Sequence, residues 1–259
     1  MTITYKGAHV FFTDTGTGDT LVFLHGFLEN HLMWQHVVPA LSKKHRVICI
    51  DLPGHGQTEC FGYIHSMELM AEVVEVVLLH LKIENATFFG HSMGGYVALA
   101  YAEKNTNKVK GLGLLNSTAL PDTEEKRINR DRGIVAVKQN HKTFIRIAIN
   151  NLFNPANSKK FEKDIKAITT RALQTPLQGI IAALEGMKIR SNREHIFQNG
   201  NFKKMMIASK NDPALDFNTL VNQTKYSDVY FVEFPDGHMS YIENERLFLR
   251  IIVHFIEKI

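Results

Sequence analysis

Gly90-His91-Ser92-Met93-Gly94-Gly95 is the stretch that decides how this chain folds. An apolar run, Ala86-Thr87-Phe88-Phe89, leads into it, and a smooth helical run, Tyr96-Val97-Ala98-Leu99-Ala100-Tyr101-Ala102, leads out. The order is strand, sharp turn, helix, with a serine at the apex. Such a turn forces the serine backbone into a strained conformation and brings strand and helix close together. Glycines at 90 and 94 remove the side chains that would collide there. A bare G-x-S-x-G is common among small-residue pentapeptides; set between a strand and a helix it is specific.

Outward from this turn, short β-branched and aromatic runs alternate with helical patterns, which predicts a largely parallel sheet covered on both faces. The predicted strands are 8–14, 20–24, 46–51, 87–90, 109–115, 203–209 and 229–234. The first two, joined through Gly16-Thr17-Gly18-Asp19, read as an antiparallel hairpin at the sheet edge. A helix is expected from Ser66, its N-cap, with Glu68 in the first turn and an apolar face of Met67, Met70, Val74, Val77, Leu78 and Leu81. The last helix repeats that pattern with Phe248, Ile251, Ile252, Phe255 and Ile259.

After residue 115 the strand rhythm stops for some eighty-five residues, too long for a structureless loop in a compact domain. Its helical segments are 134–138, 144–152, 161–173 and 177–187. They lie between strands whose C-terminal ends face one edge of the sheet, so the segment is expected to fold over that edge as a lid. Glu124-Glu125-Lys126-Arg127 through Arg130-Asp131-Arg132 reads as a solvated helix face.

Composition narrows the class. The chain has 259 residues, 44% of them hydrophobic and 22% charged, with a formal net charge of +4. That core needs no staples. Lysines and arginines are scattered, so no nucleic-acid footprint is expected. Cys49 lies inside Val47-Ile48-Cys49-Ile50 and is expected to act as a small buried hydrophobe; with Cys60 it makes no disulfide framework. No run reaches the ~20 apolar residues of a membrane span, and the N-terminus lacks the pattern of a signal peptide. A cytoplasmic location without membrane attachment is therefore expected. Gly16-Thr17-Gly18 lacks the third glycine and the helix of a dinucleotide site, no metal-ligand spacing occurs, and no cofactor is expected.

Three further segments stand in order around the serine turn: Val22-Phe23-Leu24-His25-Gly26-Phe27, Asp51-Leu52-Pro53-Gly54-His55-Gly56, and Asp236-Gly237-His238. Together the four resemble the α/β-hydrolase superfamily, in its serine-nucleophile, esterase-like branch with a helical lid. The resemblance implies an α/β fold with a mostly parallel, eight-stranded-type sheet, a core of residues 1–117 and 203–259, and a lid of 118–202. It implies Ser92 as nucleophile and His238 as base, and the chain order Ser…Asp…His points to Asp212, after strand 203–209, as the acid. Asp216 and Asp236 remain alternatives for the acid. Where relatives often carry glycine, a few residues before this aspartate, this chain has Ser209. His91 adjoins Ser92, but neighbouring side chains on a tight turn point apart. Backbone N–H groups of Phe27 and Met93 would form the oxyanion hole, and Phe27, Leu28, Trp34, Met93 and Met239 an apolar site. Phe144 and Phe153 either line that site or pack the lid.

The activity this implies is hydrolysis of a small to medium, mostly apolar carboxylic ester, a small-molecule substrate, by a monomer or homodimer. Cleavage of a carbon–carbon bond or an elimination by the same residues is the alternative, as is a ligand sensor of hydrolase architecture. Tyr96 stands where one acid-binding branch often has arginine directly after the elbow glycines.

Overall fold

Val47-Ile48-Cys49-Ile50 is apolar without a break, and a strand of that kind needs neighbours on both edges and cover on both faces. The computed structural model, which describes residues 1–225 and 228–259, places it so. Eight strands form one sheet: β1 Thr2–Tyr5, β2 Ala8–Thr15, β3 Thr20–Leu24, β4 Arg46–Ile50, β5 Ala86–His91, β6 Val109–Leu115, β7 Lys203–Ser209 and β8 Val229–Phe234. Their order is β1-β2-β4-β3-β5-β6-β7-β8. From β4 to β8 neighbours run parallel, while β1 and β2 form an antiparallel edge.

The edge corrects one expectation. Strand β2 pairs with β4 rather than β3. Its hairpin partner is β1, through Lys6-Gly7, whose φ values of 48° and 80° are those of a tight primed turn. The half-polar burial pattern of β2 suits an edge, whereas β3 is buried along nearly its whole length and lies between β4 and β5. The loop after β2 crosses over instead of turning back. Gly16 and Gly18 let it lie on the backbone of 42–45, where a Cβ at 16 would come within 2.3 Å of the His45 carbonyl oxygen.

Helices cover both faces. Short α1 (Val38–Leu41) precedes β4, and α2 (Met67–His80) starts at Ser66, whose hydroxyl accepts from the Leu69 amide at 3.2 Å. The buried face of α2 is the predicted stripe with Ala71 and Val73 added; Leu81 falls on its C-cap. Next, α3 (Met93–Lys104) packs on α2 and on strands β3, β5 and β6. Because strand side chains alternate, Phe88 and Phe89 reach opposite faces. Phe88 meets Tyr101 of α3 at 4.6 Å, and Phe89 stacks on Phe23 at 4.9 Å.

Between β6 and β7 run α4 (Glu124–Asn150), α5 (Glu162–Ala172), α6 (Leu177–Lys188) and α7 (Glu194–Asn199). Helix α4 is two helices joined at Asn140, whose φ of −157° and ψ of 85° break the run. α7 packs against α3 and against α8 (Phe217–Thr224), in the layer beside the sheet. Short α9 (Ser240–Glu243) follows β8. Last, α10 (Glu245–Ile256) buries Phe248, Ile251, Ile252 and Phe255 on the Phe89 side. Ile259, expected on that stripe, lies beyond the helix and is exposed. Among the described residues no helix is long and apolar enough to cross a membrane.

Candidate active site

Ser92 sits between β5 and α3 with φ 49° and ψ −115°, in the left-handed region that a residue with a side chain enters only at a cost. The neighbours make room for the turn. A Cβ on Gly90 would lie 2.4 Å from the Gly94 backbone, and one on Gly94 would lie 2.2 Å from the Leu24 carbonyl oxygen. The Ser92 amide donates to Leu115 O at 3.0 Å, and the Ser117 hydroxyl donates to Ser92 O at 2.7 Å. The strained residue is thus held through both its N–H and its C=O, by the last residue of β6 and by Ser117 just beyond it.

Ser92 and His238 line one cavity of about 310 Å³ above the C-terminal ends of the parallel strands, where the loops of such sheets gather. The buried His238 ring meets Asp212 through Nδ1, 2.8 Å from Oδ2. Asp212 is held in turn. Its Oδ1 accepts from the amides of Ala214 (2.8 Å) and Leu215 (3.1 Å), and its Oδ2 also accepts from Asn116 Nδ2 at 3.0 Å. Burial alone would push this carboxyl up; the adjacent His238 and the hydrogen bonds outweigh it and hold the pKa below the usual carboxylate range.

The rival carboxylates are engaged elsewhere. Asp216 caps α8 through the Thr219 amide at 2.7 Å. Asp236 accepts from Asn157 Nδ2 at 2.6 Å and Asn244 Nδ2 at 3.0 Å. His91 is buried and held neutral: burial, then the nearby His238, pushes it down to about 3. Its Nε2–H donates to the His238 carbonyl at 3.0 Å, which braces the loop bearing that ring.

The turn after β3 carries the other half of the site. His25 Nδ1–H donates to Gly26 O at 2.7 Å, and Nε2 accepts from the Leu52 amide at 2.9 Å. Its side chain therefore clamps the 25–27 turn to the 51–56 loop, a contribution beyond the backbone one expected for it. Gly26 is required because a Cβ there would lie 2.7 Å from His91 Nδ1. Among the described residues, neither the Phe27 nor the Met93 amide donates to an acceptor within the chain.

Of the predicted apolar lining, Phe27, Leu28, Phe144 and Met239 are in the cavity wall. Trp34, Met93 and Phe153 are not. Trp34 is fully buried against Phe23 (5.0 Å) and Tyr241 (6.3 Å), and Phe153 packs on Phe161 (6.3 Å). Both are large apolar residues spent on packing, the commoner fate of such side chains. The charged run on α4 is also not wholly solvated, since Lys126 and Arg130 turn into the cavity.

Several site residues escaped the sequence reading. Asn116, at φ 45°, follows β6 directly, and its Nδ2 donates to both Asp212 Oδ2 and Ser209 Oγ, the latter at 2.8 Å, so Ser209 has a buried partner. The signal was the polar pair Asn116-Ser117 closing an apolar strand. Glu29 lines the cavity and accepts from the Tyr241 hydroxyl at 2.7 Å; burial pushes its carboxyl up to about 7. Among the described residues, no group of three or more His, Cys, Asp or Glu side chains converges as a metal site.

The family model of the alpha/beta hydrolase fold matches residues 19–245. The chain belongs to the alpha/beta hydrolase fold family. Among curated relatives of this alpha/beta hydrolase, 3-oxoadipate enol-lactonase 1 of Acinetobacter baylyi is 26% identical over 250 residues, covering 92% of this chain and 89% of that protein. The pimeloyl-[acyl-carrier protein] methyl ester esterase of Sodalis glossinidius is 38% identical over 104 residues, 40% of this chain and 38% of that one. The chain spans only about a third of the first curated relatives it matches, such as 31% of the hydrolase YugF of Bacillus subtilis. The malate-bound esterase of Thermogutta terrifontis superposes with a TM-score of 0.92 at 27% identity, over 99% of this chain and 96% of that chain.

Proposed function

We propose that this alpha/beta hydrolase cleaves a small to medium carboxylic ester, open-chain or lactone, through an acyl-enzyme on Ser92. The observation that carries the reading is geometric. A serine in a strained elbow and a histidine backed by a buried, ionised aspartate open into the same cavity. Serine hydroxyls need such a base, and the base needs such an acid to fix its tautomer. Relatives named for ester and lactone hydrolysis agree with it.

In this reading Asp212 accepts Nδ1–H of His238, leaving Nε2 free to take the Ser92 proton as Oγ attacks the carbonyl carbon. The negative charge that develops on the carbonyl oxygen is met by the Phe27 and Met93 amides, donors that have no acceptor among the described residues. Collapse breaks the ester C–O bond, and the leaving alcohol takes the proton from His238. Water then attacks the acyl-Ser92 ester, again giving its proton to His238, and the acid departs as Ser92 recovers its hydrogen. His91, neutral and committed to the His238 carbonyl, steadies the base instead of competing with it.

The segment 118–202 acts as a lid that selects the acyl chain. What supports this is that Phe144, Ala148, Leu184 and Met187, from α4 and α6, form much of the apolar wall. The test is turnover of an ester series by the unaltered protein, Ser92→Ala and His238→Ala. Each variant should lose nearly all activity while keeping its melting temperature, with at most the ~10³-fold residual that binding and the oxyanion hole supply. An unaltered rate in Ser92→Ala would end the proposal.

A further inference from the structure

One face of α4 lines the cavity in two chemically distinct halves. Before the break at Asn140 the lining residues are Lys126, Asn129, Arg130 and Gly133; after it they are Phe144 and Ala148. Spacings of three and four put each set on a single face. The apolar half lies toward His238, whose amide donates to Leu152 O, just beyond the helix, at 2.8 Å. The other half brings cations to the same space.

Among the described residues a single carboxylate, Asp122, forms ion pairs with the cations gathered here. Asp122 is buried and takes Arg190 Nη1 at 2.5 Å together with Nε and Nη2 of Arg130. Arg190 is then committed: it donates to the carbonyls of Leu120 and Met187 at 3.1 Å and lies over the Tyr96 ring at 4.1 Å. Lys126 makes no ion pair with Asp122. Among the described residues its Nζ donates only to the Ala214 carbonyl, at 3.2 Å. The other carboxylates that act on it are Asp212, engaged with His238, and Asp216, engaged as the α8 cap. Burial, and after it Arg190, disfavours the charged form of this lysine, so an anion beside it would relieve a real cost.

We propose that Lys126, with the edge of Arg130 not engaged by Asp122, forms a carboxylate subsite, so that the preferred ester carries a free carboxylate remote from the scissile bond. The substrate clause rests on the serine-hydrolase reading above; the subsite itself does not. A cavity of about 310 Å³ is at the small end for ligand sites, which fits a short acid-terminated chain with its methylenes along Phe144 and Ala148. The carboxylate in this subsite takes no part in bond breaking. It places the carbonyl over Ser92 and so acts through KM more than kcat.

Monomethyl glutarate and methyl pentanoate differ in this terminal group, and methanol release measures both. The intact protein should favour the acid ester, and Lys126→Met should cut the ratio of the two kcat/KM values about tenfold, equivalent to ~1.4 kcal/mol, chiefly through KM. Lys126→Arg should restore most of the ratio. A ratio unchanged in Lys126→Met, or a preference of the intact protein for the neutral ester, overturns the proposal. Calorimetric titration with glutarate separates the two readings. Glutarate should bind the intact chain and bind Lys126→Met about tenfold more weakly, whether or not either ester is turned over. If neither ester reacts, the serine-hydrolase reading fails and the titration alone decides the subsite. Glutarate that does not bind, or binds both proteins equally, overturns it.

Discussion

Asp212→Asn isolates the least visible member of the proposed triad, and the structure dictates which way the new amide must face. Oδ1 of Asp212 accepts two backbone N–H groups, from Ala214 at 2.8 Å and Leu215 at 3.1 Å. An amide nitrogen there would point hydrogens at two donors. Oδ2 faces one donor besides His238, the Asn116 side-chain amide at 3.0 Å, against two fixed backbone donors at Oδ1, so the oxygen of the substituted side chain takes the Oδ1 position and the NH2 lies where Oδ2 now meets His238 Nδ1 at 2.8 Å. An NH2 can only donate, so His238 must present a bare Nδ1 and carry its proton on Nε2. That is the tautomer unable to take the Ser92 proton. The loss expected from a wrong tautomer is ~10⁴-fold in kcat, about 5 kcal/mol of transition-state stabilisation. Steady-state hydrolysis of a short neutral ester measures it, with a thermal melt to show that the fold persists. Asp236→Asn is the matched control: that carboxylate bonds Asn157 and Asn244, and its loss should leave kcat within a few fold. If Asp212→Asn keeps a tenth or more of the wild-type kcat, or if Asp236→Asn is the damaging change, the assignment of the acid is wrong.

Glu29 holds its proton to about pH 7 in the folded protein, against an ordinary value of 4.5. The native state therefore binds the extra proton between these pH values, and stability falls as pH rises through the window, by about 3 kcal/mol; Glu29→Gln should flatten that dependence in melts from pH 4 to 8, and an unchanged slope would count against it. Phe144→Ala should shift the acyl chain-length profile, because Phe144 is in the cavity wall. Trp34→Ala and Phe153→Ala should each cost about 3–5 kcal/mol of stability in denaturant unfolding and leave that profile alone; a changed profile in either would return it to the pocket. Gly94→Ala should lose about 3 kcal/mol or more, since its Cβ would meet the Leu24 backbone at 2.2 Å, and a melting temperature within a degree or two of wild type would refute the close packing of the elbow.

The features legible in the sequence are those written in local chemistry. The strand–turn–helix context of Ser92 and the apolar runs of β3 to β8 can be read residue by residue, and each matches the structure to within a residue or so. Pairing across the sheet is not local. Nothing in Gly16-Thr17-Gly18-Asp19 shows that β4, some thirty residues on, will insert beside β2; that outcome follows from the need of Val47–Ile50 for two paired edges. β1 went unread because Thr2-Ile3-Thr4-Tyr5 is short and only half-buried. At the site, a turn histidine and a strand-end aspartate announce themselves by position. Phe144 and Phe153 are alike in the sequence, and only the packing puts one in the cavity and the other against Phe161. The α4 charges mislead for the same reason: their spacing shows a face, and whether water or a cavity lies over it depends on α6 and on the 212–215 loop.

The central claim is a covalent acyl group on Ser92 Oγ, and intact-mass spectrometry of the protein quenched during turnover of an activated ester tests it most directly. The mass should rise by one acyl group, peptide mapping should place the group on Ser92, and Ser92→Ala should show no adduct. An adduct on another residue, or ester hydrolysis that proceeds in Ser92→Ala at the wild-type rate, would contradict the account.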